Sequence, residues 1–150
     1  MKPKFILVLL LFLSCLGHGL FAQTAEKMDQ ILESKEISYD QAAFIILPAA
    51  GLISETASLD EAFMFAWEHK WLRKAKVPED PISLGELSYL IMKAFDMKSG
   101  FMYAIFPGPR YAFRELCYRS IIQGRSDPSI TLSGERLLNI QGRLLAQRGE

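Results

Sequence analysis

The hydrophobic pattern of this chain divides it near its start. Phe5 to Leu13 is an uninterrupted apolar run behind Lys2 and Lys4. The run is too short to span a bilayer but has the length of a secretory h-region behind a cationic n-region. The chain then loosens through Cys15-Leu16-Gly17-His18-Gly19 and reaches Leu20-Phe21-Ala22-Gln23, where small Ala22 suits the position before a signal-peptidase cut. Residues 1–22 are therefore expected to be a cleaved signal peptide, with the mature chain beginning at Gln23. A second reading takes Phe12-Leu13-Ser14-Cys15 as a relaxed lipobox, which makes Cys15 a lipidated first residue and anchors the protein to a membrane.

Beyond the leader the pattern becomes helical. Met28, Ile31 and Leu32 share one face of a short helix over Ala25–Ser34, and Tyr39–Ala50 forms a second helix closed by Gly51 in a left-handed cap. Amphipathic stretches run from Ala62-Phe63 to Trp71-Leu72 and from Ala112-Phe113 to Ile121-Ile122, and further helices are expected over Leu84–Phe95 and Ser133–Ala146. Capping boxes punctuate the chain at Ser38-x-x-Gln41, Ser58-x-x-Glu61 and Ser83-x-x-Glu86, and Pro109 suits a helix start. Little or no sheet is expected. The core should contain Phe44, Leu47, Phe63, Ala66, Leu87, Leu90, Phe95, Phe113, Leu116, Ile122, Leu138 and Leu145. Trp67 and Trp71, four apart and in step with Phe63, should pack on one helical stripe.

The caps recur. Asp80-Pro81-Ile82-Ser83-Leu84-Gly85-Glu86 returns as Asp127-Pro128-Ser129-Ile130-Thr131-Leu132-Ser133-Gly134-Glu135, and Ile37-Ser38-Tyr39-Asp40-Gln41 is a third copy. In the two later copies proline ends one segment and a hydroxyl caps the next helix. The resulting expectation is an all-α fold of helix-loop-helix repeats at about 24–52, 58–97 and 109–147, in one domain over 23–150. The cap starts, Ala66-Trp67, and Ile121-Ile122-Gln123-Gly124-Arg125-Ser126-Asp127 together resemble the S-layer homology family over roughly Ile37 to Arg143. That resemblance implies three repeats packed around a pseudo-threefold axis and binding to an anionic cell-wall polymer. The family's ligand-binding arginine in the Ile-Thr-Arg-Ala-Glu motif is here Tyr39, Leu84 or Leu132.

Charge narrows the partners. With Lys2 and Lys4 lost in the leader, 15 basic residues face 17 acidic ones, a formal balance of −2. Such a surface argues against nucleic acid as the main partner. From Gly108 onward there are seven arginines, no lysine and four acids, which makes the C-terminal third mildly basic. Cys117 and His69 are the Cys and His of the mature chain, too few for a Cys/His zinc site or a disulfide, and no metal or cofactor is expected. The pairs Asp80/Glu86 and Asp127/Glu135 repeat at equivalent caps, which assigns them to structure rather than acid–base catalysis.

The unusual segment is Gly100–Tyr111, with Phe101, Tyr103, Phe106 and Tyr111 between turn signals. Its aromatics should plug the axis where repeats meet; the alternative is an exposed platform beside Arg110. The expected function is a non-catalytic, exported cell-envelope binding or scaffolding module that engages peptidoglycan or an associated wall polymer. Its candidate ligand residues are Arg110, Tyr111, Arg125 and Tyr103, because guanidinium groups grip anions while tyrosines stack on sugar rings. The alternative is a periplasmic or outer-membrane accessory protein acting through protein–protein contacts.

Overall fold

A computed structural model describes residues 18–75, 77–98, 100–124 and 127–149, with side-chain surroundings from Ala25 onward. The apolar run, the Cys15 lipobox and most of the 1–22 leader lie outside the described residues, as does Arg125. The described chain is all-helical: α1 (His18–Glu33), α2 (Tyr39–Ala49), α3 (Leu59–Glu68), α4 (Leu84–Ala94), α5 (Phe101–Ile105), α6 (Pro109–Tyr118) and α7 (Gly134–Arg148). No strand occurs among the described residues, only isolated bridges at Ser38–Pro81 and Ser83–Thr131.

Serine begins four of these helices at extended backbone, Ser38 before α2, Ser58 before α3, Ser83 before α4 and Ser133 before α7. The Ser58, Ser83 and Ser133 hydroxyls each accept a first-turn amide, a cap worth about 1 kcal/mol, whereas at Ser38 the Gln41 amide goes to Asp40 Oδ1 (2.7 Å). Ser58 and Glu61 complete a reciprocal box: the Glu61 amide donates to Ser58 Oγ (3.1 Å) and the Ser58 amide to Glu61 Oε2 (3.2 Å). At Ser83 half the expected box is missing. The Glu86 amide reaches Ser83 Oγ (3.3 Å), but the Glu86 carboxylate does not fold back to Ser83; it turns inward instead.

Four helices end alike. Gly51, Lys70, Asp96 and Ser120 take positive φ of 77°, 58°, 44° and 59° just past α2, α3, α4 and α6. In each case the following amide donates back across the last turn: Leu52 to Leu47 O, Trp71 to Ala66 O, Met97 to Met92 O and Ile121 to Leu116 O. This is the Schellman closure. It stops α3 at Glu68, before Trp71, so Phe63, Trp67 and Trp71 do not form one helical stripe. Trp71 folds back edge-on against Phe65 (5.9 Å), while Trp67 stacks on Phe63 (5.8 Å) and stays 44 % exposed.

The helices pack α2 on α3, α4 on α6 and α7 on α1, with α2 also touching α4 and α7. Their caps meet through main-chain bonds. The Ile82 amide donates to Ile37 O (2.8 Å), that of Ile37 to Leu132 O (2.9 Å), and those of Tyr39 and Leu84 to Asp80 O (3.1 Å) and Ile130 O (2.9 Å). Gly134 donates to Ser34 O (2.9 Å). Ile37, Ile82 and Leu132, one residue before each cap, are buried together with Phe44, Leu47, Phe63, Ala66, Leu87, Leu90, Phe113, Leu116 and Ile122.

Three core expectations need amending. Phe95 and Leu138 are half-buried against the core rather than inside it, and Leu145 is 41 % exposed. The inward face of α7 is Gly134, Leu137, Ile140 and Leu144. Gly134 sets this rotation, since a Cβ there would collide with the Ile31 carbonyl oxygen of α1. Only glycine permits that approach.

Candidate functional site

A cleft of about 620 Å³ opens where the start of α4, the start of α6 and the 127–129 turn converge. Its walls are Ser83, Gly85 and Glu86 of α4 and its cap, Pro109, Arg110, Phe113 and Arg114 of α6, Asp127–Ser129, and Lys74 from the loop after α3. The main chain brings these walls together: the Gly85 amide donates to Pro128 O (2.8 Å). A Cβ at Gly85 would stand 2.9 Å from that oxygen.

Arg110 and Arg114 reach the cleft together because positions four apart share a helix face. They and Lys74 are exposed, and among the described residues no salt bridge closes on any of the three. Asp127 is occupied locally, its Oδ1 accepting from the Ser129 amide (2.8 Å) and from the Ser129 hydroxyl. Those bonds hold its carboxyl below the ordinary range, and the nearby Arg110 charge adds to the effect.

Glu86 is the other acid, and only 1 % of its surface is exposed. Neither carboxylate oxygen closes a hydrogen bond among the described residues. Burial pushes its carboxyl up, while the Lys74 charge and the Arg73 and Lys74 surroundings pull the other way. Burial of the Tyr39 hydroxyl pushes it up to about 12, and the Glu86 and Asp80 charges add to the effect. The cleft thus has a buried acid at its wall and three cationic side chains around it.

The sequence-derived candidates separate. Arg110 lines the cleft. Tyr111 stacks instead on Phe106 (6.3 Å) and borders a different hollow of about 290 Å³ with Phe101, Met102, Tyr103 and Tyr118. Tyr103 is 8 % exposed, 6.4 Å from Tyr89, with a hydroxyl that meets no partner among the described residues and a pKa raised to about 12 by burial. A ring held there does not offer a face to a sugar in the cleft. Lys74, Arg114 and Glu86 were missed. The i,i+4 spacing of Arg110 and Arg114 was a readable signal, whereas Lys74 was hidden in a basic run and Glu86 in a capping-box pattern.

The aromatic segment also departs from expectation. Its first part forms α5, and its aromatics divide: Phe101 and Phe106 are 77 % and 59 % exposed, whereas Tyr103 is buried and Tyr111 half-buried. His69 caps α3 at the surface, bonded to Phe65 O (2.7 Å). Cys117 lies half-buried on α6 with its thiol pushed up by burial, the opposite of an activated nucleophile. Among the described residues no cluster of three His, Cys, Asp or Glu side chains is placed to hold a metal ion, and no helix is long and apolar enough to cross a membrane. No family model, no curated protein and no solved structure matches this chain.

Proposed function

We propose that this chain is an exported, non-catalytic cell-envelope module that holds an anionic wall polymer in the α4–α6 cleft. In this reading residues 1–22 direct export. Three helix-loop-helix units, 24–52, 58–97 and 109–147, surround a pseudo-threefold axis in the manner of the S-layer homology family. The cyclic order of the cap-to-cap hydrogen bonds supports that arrangement, as does the packing of each unit's second helix on the next unit's first. Ile37, Ile82 and Leu132 are then the axial residues.

The observation that carries the ligand reading is the convergence of Lys74, Arg110 and Arg114, unbridged, on one cleft. Carboxylate or phosphate groups spaced along a polymer complement such a triplet, and arginine grips them with two parallel bonds. The binding function replaces the family's motif arginine, absent here, with cations from α6 and the α3–α4 loop. A catalytic role finds little support, because Asp127 is tied into its own turn.

Co-sedimentation with purified peptidoglycan sacculi over a salt series tests this. Wild type should sediment at low salt and be released as salt screens the contact. Arg110→Ala and Arg114→Ala should each weaken binding about tenfold, the scale of a lost charge-assisted bond, with circular dichroism unchanged. Failure of wild type to sediment at low salt, or wild-type behaviour from both folded variants, overturns the proposal.

A further inference from the structure

α5 is built the wrong way round for a helix that serves a core. Of its five residues only Tyr103 points inward; Phe101, Met102, Ala104 and Ile105 are exposed, and Phe106 follows them. Tyr118 of α6, 88 % exposed, borders the same hollow as Phe101 and Met102. Water meets bulky apolar side chains on several faces of one protruding turn, which folding alone does not reward. The turn is nevertheless held in place. The Gly100 amide donates to Glu115 Oε2 (3.2 Å), Arg119 donates to the Lys98 carbonyl, and Arg73 donates to the Pro107 carbonyl (3.5 Å).

Charge says what covers it. From Met97 to Arg114 the chain contains Lys98, Arg110 and Arg114 and no acid. Arg114 lines the hollow beside Phe101 and Tyr118, and Arg73 is anchored at Pro107. Two acids flank this stretch: Glu115 is neutralised by Arg119 at 2.9 Å, and Asp96 is exposed at the end of α4. Phenylalanine, methionine and isoleucine at a tip flanked by more cations than free acids are the parts of a peripheral membrane contact. The apolar side chains enter the acyl boundary and the cations meet anionic headgroups. A second copy of this chain would instead set cation against cation at the rim.

We infer that the α5 tip, with Phe101, Met102, Ile105 and Phe106 as the inserting side chains and Lys98 and Arg114 beside them, docks this protein on an anionic lipid surface. The inserting side chains lie outside the polymer cleft, though Arg114 borders both, and together the two contacts join membrane to wall.

The test is flotation of the protein, made with its own leader and with its N-terminus read by intact mass, on phosphatidylglycerol-rich and on phosphatidylcholine vesicles. Any contribution of the N-terminal segment is common to wild type and variants. Wild type should bind the anionic vesicles at least tenfold more tightly than the zwitterionic ones. Phe101→Ser/Phe106→Ser should lose about tenfold or more on anionic vesicles while sedimenting with sacculi as wild type does. Met102→Ser/Ile105→Ser, which leaves the Phe106–Tyr111 stack intact, should lose binding in the same direction. Equal vesicle binding by wild type and both variants overturns the inference. So does a wild-type dimer in sedimentation velocity that the Phe101/Phe106 variant abolishes, because the tip is then an interface between copies.

Discussion

At the scale of single residues, Glu86 shows how much depends on where a side chain turns. Its spacing from Ser83 suits a capping box, yet only the backbone half forms and the carboxylate goes inward, nearly sealed from solvent. A buried acid favours its neutral form, so its folded pKa stands above the ordinary 4.5. The native state then binds more protons than the unfolded chain, and stability falls as pH rises from 4.5 through the folded value. Asp127 works in the opposite sense, its contribution being present above 3.8 and lost as pH falls further. Urea titrations of wild type and Glu86→Gln across pH 4 to 8 should show wild type losing stability relative to the variant on the alkaline side. A pH-independent difference between the two refutes this account of Glu86.

Helix ends in this protein repeat one solution with unequal chemistry. Gly51 closes α2 without strain, but Lys70, Asp96 and Ser120 hold the same left-handed position with side chains that disfavour it. Ser120→Gly should therefore stabilise the protein by about 1 kcal/mol. Gly134→Ala should cost on the order of 3 kcal/mol, because the added methyl meets the Ile31 carbonyl, which belongs to backbone and cannot rotate away. Chemical denaturation of the two variants, read with circular dichroism, measures both. Element boundaries follow the same chemistry: serine starts were legible, while the end of α3 at Glu68 was not, since nothing in Lys70 announces a left-handed turn.

For the whole molecule, the meeting of the three cap segments joins parts of the chain that are far apart in sequence. Ile37 bonds Leu132, and Ile82 bonds Ile37. These amides are shared between distant parts of the chain and surrounded by buried aliphatics, so no local fraying exposes them. Native-state hydrogen exchange should find the amides of Ile37, Tyr39, Ile82 and Leu84 open only by global unfolding, with α5 exchanging through a smaller local opening. Fast exchange at Ile82 and Leu84 would show that the caps are peripheral.

Helical periodicity, serine caps, the Asp-Pro punctuation and the Gly51 stop are local properties of a few adjacent residues. They suffice to determine an all-α chain, its main helix starts and most of its core. The rotation of α7, which buries Leu144 and exposes Leu145, depends on a single close approach between Gly134 and Ile31, residues about a hundred positions apart. The cleft likewise assembles Lys74, Glu86, Arg110, Arg114 and Asp127 from four separate segments. The direction taken by Glu86 and the outward placement of Phe101 and Phe106 are choices between packing alternatives that local sequence leaves nearly equal in free energy. Contacts between elements distant in the chain decide them, because only the assembled fold determines which surfaces remain to be covered.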